Sequence, residues 1–298
     1  MMKKILIFLT AVLALPFFAQ SQRFYYEYKY TLDSTNKELN TEMMILEVNS
    51  KGSKYYSHDR FVQDSTIQAD LQKQIKAGSG NLNITKKGNS KVNYSVTKSY
   101  PDYKVLLETA IGQDRYKVIE PTKPEWKILP EKKTIGTYQV QKAETSLGGR
   151  KWTAWFTTDI PLNDGPYKFY GLPGFIVQVI DDSETHSISL VGSRKLTTES
   201  VPQAQMPSGV TIMGMGGSAI EITKDKFKKL WQDFVNDPSK NMREMLMKNI
   251  GGSTIQFKVK NQDGSEISDP NQVFKSYEQR IKDQIKKENN LIEPSLYK

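Results

Sequence analysis

Few side chains in this sequence suit catalysis, and their types narrow the chemistry. There are two histidines, His58 and His186, and no cysteine. Without thiols there are no disulfides, thiolate metal sites or cysteine nucleophiles. A zinc centre would need carboxylates to complete it, and no helical pattern places two ligands at a suitable spacing. His186 follows Asp181, Asp182 and Glu184, a polar cluster that reads more simply as a turn. A serine triad needs a presented nucleophile, and no Gly-x-Ser-x-Gly elbow occurs. Gly214-Met215-Gly216-Gly217-Ser218 lacks the Gly-Lys-Ser/Thr ending of a phosphate loop. Asp159 and Asp164 flank Pro161, and paired carboxylates cleave glycosidic bonds when held at the right separation. Loop solvation is their simpler role. Met206, Met213, Met215, Met242, Met245 and Met247 carry thioethers that bind cuprous copper, but methionine more often fills gaps in a core. No metal and no cofactor is expected.

Aromatic residues offer a binding surface instead. Trp126, Trp152 and Trp155 lie close in sequence, and Trp152 and Trp155 fall on opposite faces of one strand-like segment. One of the two can therefore face a cavity or solvent. Trp152, Trp155 and Tyr170 are the candidate binding residues.

These residues surround the stretch Gly165-Pro166-Tyr167-Lys168-Phe169-Tyr170-Gly171-Leu172-Pro173-Gly174-Phe175-Ile176-Val177-Gln178-Val179. Glycine permits backbone angles that other residues resist, and proline fixes one angle and removes a donor. Gly165, Pro166, Gly171, Leu172, Pro173 and Gly174 are expected to form a tight corner that feeds a buried strand.

The flanking chain alternates with period two. Phe24, Tyr26, Tyr28, Tyr30 and Leu32 define one oily strand face, and Met44, Leu46 and Val48 another. Tyr55-Tyr56 and Phe61-Val62 suggest a third strand. Ile67, Leu71 and Ile75 suit a helix capped by Asp64 or Ser65 and stopped at Gly78. Hairpins are expected at Leu82–Val96, with a turn at Lys87–Ser90, and at Val105–Val118, with a turn at Gly112–Asp114. Ile135–Ala143 and Lys151–Thr157 read as strands, the second entered through a Gly148-Gly149 turn. Further strands are Phe175–Ile180 and His186–Val191. Thr198–Gly217 reads as a long loop, with a short strand at Gly209–Met213.

The last third is helical. Thr223 starts a helix with an apolar stripe of Phe227, Leu230, Trp231, Phe234 and Val235. Asp237-Pro238 starts a second helix ending at Gly251, and Asp269-Pro270 a third, with a strand at Ile255–Val259 between them. Hairpin links favour antiparallel pairing. The expected class is α+β: a large curved antiparallel β-sheet, half-barrel-like, covered on one face by C-terminal helices. Residues 22–298 form one domain, with its helical part from about 221 to 298.

The amino terminus points to export. Lys3 and Lys4 precede an apolar run, Ile5–Phe18, of signal-peptide length and short for a membrane span. Ala19 and Ser21 are small, so cleavage is expected before Gln22, removing residues 1–21. No integral membrane segment is expected thereafter. The net charge of +9 is spread along the chain rather than clustered, and no basic-aromatic motif marks a nucleic-acid partner.

The glycine-rich stretch also carries a resemblance. Gly171-Leu172-Pro173-Gly174-Phe175-Ile176 resembles the signature of the GLPGLI family, exported Bacteroidetes proteins of unknown function, with Phe175 where leucine is usual. The likeness extends to Lys133–Tyr138, Lys142-Ala143, Gly149-Arg150, Trp152–Thr157, Ile160-Pro161, Gly165–Phe169 and Asn289–Glu293. Gln139-Val140-Gln141 departs from it, since members often carry a cysteine there. The resemblance implies a periplasmic or cell-envelope location and transfers no catalytic residue.

The expected function is a non-enzymatic binding module for an apolar or polymeric envelope ligand. The alternatives are an adaptor docking on an outer-membrane protein partner through its basic helices, and a hydrolase of envelope polymers using Asp159, Asp164 or Glu184.

Overall fold

A computed structural model describes residues 21–36, 38–77, 90–196, 219–249, 259–260, 266–267 and 269–298. The leader, the turn at Lys87–Asn89, the loop at 198–217 with its strand and methionines, Gly78 and Gly251 lie outside the described residues, as do the side chains of Ile75, Met245 and Met247.

Two meanders join edge to edge in one sheet. The first comprises β1 (Gln22–Tyr30), β2 (Asn40–Asn49), β3 (Gly52–Ser57), β4 (Ser95–Ser99), β5 (Val105–Ile111) and β6 (Asp114–Glu120). The second comprises β7 (Lys127–Ile135), β8 (Tyr138–Leu147), β9 (Arg150–Thr157), β10 (Phe175–Asp181) and β11 (His186–Lys195). β1 pairs with β11, and β12 (Ile220–Thr223) adds to β6 in parallel. The order is β12-β6-β5-β4-β3-β2-β1-β11-β10-β9-β8-β7, and every other pairing is antiparallel.

This order fixes the curvature. In a flat sheet, ten spacings of ~4.8 Å would put β6 and β7 ~48 Å apart. The chain from Glu120 to Lys127 reaches at most ~25 Å. The sheet must therefore roll, and it stays open, with β12 and β7 as its edges. The rolled α+β architecture matches the expected class.

The inward face carries Phe24, Tyr26, Tyr28, Met44, Leu46, Tyr55, Val96, Leu107, Val118, Ala154 and Phe156, all buried. Strand alternation accounts for these positions. Helix α1 (His58–Lys76) packs on β2 and β3 and buries Ile67 and Leu71. It begins earlier than the sequence pattern suggested and takes in Phe61 and Val62, expected in a strand. The reason is a cap: Ser57 Oγ accepts a hydrogen bond from Arg60 N at 3.2 Å. A second correction concerns Ile135–Ala143, which is broken by a turn at Gly136, where φ is +57°.

Helix α2 (Lys224–Asn236) is capped by Thr223 and packs on β5, β6 and β12. Phe227 is fully buried, edge-on to Tyr116 and Tyr297. Helices α3 (Lys240–Asn249) and α4 (Pro270–Lys287) follow, the latter capped by Asp269, with the short pair β13 (Val259–Lys260) and β14 (Glu266–Ile267) between them. The final residues return to the sheet, where Asn290 N donates to Leu32 O at 2.9 Å.

Candidate functional site

Residues 158–174 connect β9 to β10 by folding into the hollow of the sheet. Residues 164–170 are all buried. The apolar members fill the interior: Phe169 lies 5.0 Å from the Trp152 ring, and Leu172 is 1% exposed. The return into β10 needs glycine. A Cβ on Gly174 would sit 2.2 Å from Thr157 O. Phe175 to Val179 then run in β10, with Phe175, Ile176, Val177 and Val179 buried.

Buried charges hold this segment. Lys98 Nζ contacts Asp164 Oδ1 at 2.6 Å and donates to the carbonyls of Gly165 at 2.6 Å and Tyr167 at 3.0 Å. An ammonium has three donors, and all three are used. Tyr100 OH donates to the other Asp164 oxygen. Burial pushes the Lys98 ammonium down from its ordinary pKa, with Asp164 opposing.

Lys168 makes a second cluster. Its Nζ meets Glu120 at 2.8 Å and also Glu293. Lys224 Nζ lies 2.6 Å from Glu120 and 2.8 Å from Glu293, and Tyr167 OH donates to Glu293 at 2.8 Å. Burial would raise the Glu293 carboxyl, but Lys168 and Lys224 outweigh it and hold the group below its usual range.

The third cluster joins the β8–β9 hairpin to the carboxyl-terminal tail. Gly148 and Gly149 have φ of +67° and +88°, the pattern of a type I′ turn. Arg150 donates to Asp181 at 2.7 Å, to Leu291 O at 2.8 Å and to Asn290 Oδ1 at 2.5 Å. His186 Nε2 lies 3.1 Å from Asn290 O, and a carbonyl only accepts. The ring proton is therefore on Nε2, and Nδ1 accepts from Tyr28 OH at 2.7 Å. Burial and the Arg150 charge push His186 down to about 4, partly offset by Asp181. In all three clusters positive and negative groups face each other, and the chemistry is that of a fastened fold.

An accessible site lies at the rim. The pairing of β7 with β8 starts at Lys127↔Glu144, whereas β8 continues to Leu147 alongside β9. The residues leading into β7 diverge and leave a groove of about 740 Å³. It is lined by Thr122, Lys123 and Glu125 on one side and by Glu144, Thr145, Ser146, Lys151, Trp152, Thr153 and Asp182. The volume is in the range of ligand clefts, ~300–1,000 Å³. Thr145 is 7% exposed, and its Oγ1 has no hydrogen-bond partner among the described residues. A buried hydroxyl without a partner costs about 1–3 kcal/mol.

The expected binding residues separate. Trp152 is 2% exposed, and its Nε1 donates to Leu147 O at 3.1 Å. Tyr170 is buried and stacks on Tyr103 at 4.6 Å. Trp155 lies on the other face of β9, half-buried, with Lys133 Nζ 4.0 Å from its ring centre. Among the three, Trp152 lines the groove. Of the motif residues, Gly165, Pro166, Leu172 and Gly174 are buried, and Gly171 and Pro173 are exposed. Trp126 Nε1 donates to Tyr170 O at 2.8 Å. Asp164 is sealed in the core, which removes it as an acid–base partner for the exposed Asp159, and Glu184 is exposed in a turn. His58 is half-buried beside the exposed Asp59. Sequence reading missed Thr145, Ser146 and Lys123. Their role depends on where a strand pairing stops, which no residue pattern encodes. Among the described residues, no group of three or more His, Asp or Glu is placed to hold a metal ion, and no helix is long and apolar enough to cross a membrane.

Residues 148–178 match the model of a family described as "Protein of unknown function (Porph_ging)". The match spans the hairpin turn, β9, the buried segment and the first part of β10, and is compatible with the GLPGLI resemblance. No curated protein gives a significant match. Two crystal structures, "Structure of PNGF-II in P21 space group" and "Structure of PNGF-II in C2 space group", are similar at 15% identity and a TM-score of 0.46. Each match covers 71% of this chain and 33% or 32% of the other. The chain thus spans about a third of the length of those structures.

Proposed function

We propose that the chain is an exported, non-enzymatic binding module of the bacterial cell envelope, and that it holds a polymeric ligand in the rim groove. The observation that carries this reading is the contrast between the filled hollow and the rim groove. The hollow of the sheet is filled by residues 158–174, pinned by Lys98 and Lys168. The groove beside it is open and polar, and the buried hydroxyl of Thr145, which lines it, lacks a partner among the described residues. An apolar ligand in the hollow would have to displace Phe169 and Leu172 and strip the Lys98 ammonium of three contacts. A polar polymer in the groove displaces nothing. The GLPGLI resemblance and the leader-like amino terminus support the envelope location.

The test is a titration of the isotope-labelled exported chain with soluble muropeptides and with peptides, followed by amide chemical shifts. Saturable shifts confined to 122–125 and 144–153 support the reading. Retention of lipid through native purification, with shifts in 164–172, would replace it by a carrier that opens its hollow.

A further inference from the structure

The groove contains an open rung of β-sheet. The hairpin turn at Gly148-Gly149 makes Leu147 and Arg150 a hydrogen-bonded pair, so bonding alternates back along β8. Ser146 and Lys151 form a non-bonded pair, and Lys151 O is turned to the opposite side, where it accepts from Asp182 N at 3.0 Å. The N–H and C=O of Ser146 therefore point away from β9, toward the side that β7 occupies as far as Glu144. Among the described residues Ser146 has no backbone partner there, since the β7 register begins at Lys127↔Glu144. Beyond it, Gly148 O is taken by Ser295 N at 3.1 Å. The gap is one rung, closed at both ends and facing the groove.

We propose that this rung binds an extended peptide segment, which adds to the β8 edge through the backbone of Ser146. This rests on the reading of the groove as the ligand site and names its occupant. Strand addition draws its affinity from main-chain bonds and its specificity from alternate side chains. The groove supplies both kinds of contact: the free Ser146 groups for the backbone, and Thr145 Oγ1, Lys123, Lys151, Glu125, Glu144 and Asp182 for polar side chains of either charge. A glycan is the weaker fit. Sugar rings favour an aromatic face, and the groove's one aromatic, Trp152, is 2% exposed.

The test uses a displayed library of random seven-residue peptides selected on the exported chain, with soluble muropeptides as the competing probe. The expected result is a peptide that shifts the Ser146 amide and loses about tenfold in affinity against Ser146→Pro, which removes the N–H. N-methylation of one alternate peptide amide should weaken binding similarly, and this arm decides the matter even where Ser146→Pro fails to fold. Peptide binding indifferent to both changes overturns the strand-addition proposal. Muropeptides that perturb the groove where no selected peptide does overturn it while leaving the groove reading standing. If neither probe perturbs the groove, both fall.

Discussion

Lys98 has no exposed surface, and its ammonium is held by atoms of the buried segment. Removing one member of a buried ion pair leaves an uncompensated charge and costs about 3–5 kcal/mol, whereas replacing both by apolar groups is often neutral. Lys98→Met should therefore destabilise the chain by about that amount in urea unfolding, and Lys98→Met with Asp164→Leu should recover much of it. Thr145 predicts the opposite sign. Thr145→Val removes a buried hydroxyl with no partner among the described residues and should raise the melting temperature by a few degrees while weakening binding in the proposed groove site. His186 sets a pH dependence. Its folded pKa of about 4 lies below the unfolded value near 6.5, so the unfolded chain takes up the proton first. Stability is full above pH ~6.5 and falls as pH drops toward 4, by about 2 kcal/mol at pH 5. His186→Gln should flatten that part of the profile, measured by denaturant unfolding at pH 7 and pH 5.

At the level of elements, the carboxyl-terminal tail is a strap. Asn290 and Leu291 satisfy Arg150, and Glu293 satisfies Lys168, Lys224 and Tyr167. A chain ending at Glu288 leaves, among the described residues, only Glu120 as an ion-pair partner for Lys168 and Lys224 and only Asp181 for Arg150. It should lose the cooperative unfolding transition or be cleaved faster by protease than the full chain; urea melts and limited proteolysis measure the two. Much of this level was legible in the sequence. The alternation of Phe24 to Tyr30 gave β1 its inner face, Gly148-Gly149 marked a hairpin, and Thr223 and Asp269 marked helix starts, because each feature is local. The α1 start was misplaced because Ser57 caps it from the end of a strand. The groove was invisible because it depends on the divergence of β7 from β8, a relation between distant segments. The motif's role as filler also escaped, since a corner and a plug share the same glycines and prolines.

For the whole molecule, a six-residue connection between opposite ends of two meanders forces the sheet to roll, and the family-like segment fills the resulting hollow. The proposed ligand site therefore lies at the rim and not in the interior. Hydrogen exchange by mass spectrometry on residues 22–298, alone and saturated with the selected peptide or with muropeptides, tests the ligand's place directly. The expected result is slowed exchange at 122–125 and 144–147 with residues 158–174 unchanged. Faster exchange in 158–174 on ligand addition, with the rim unaffected, would mean that the hollow opens to take the ligand and would contradict a rim site.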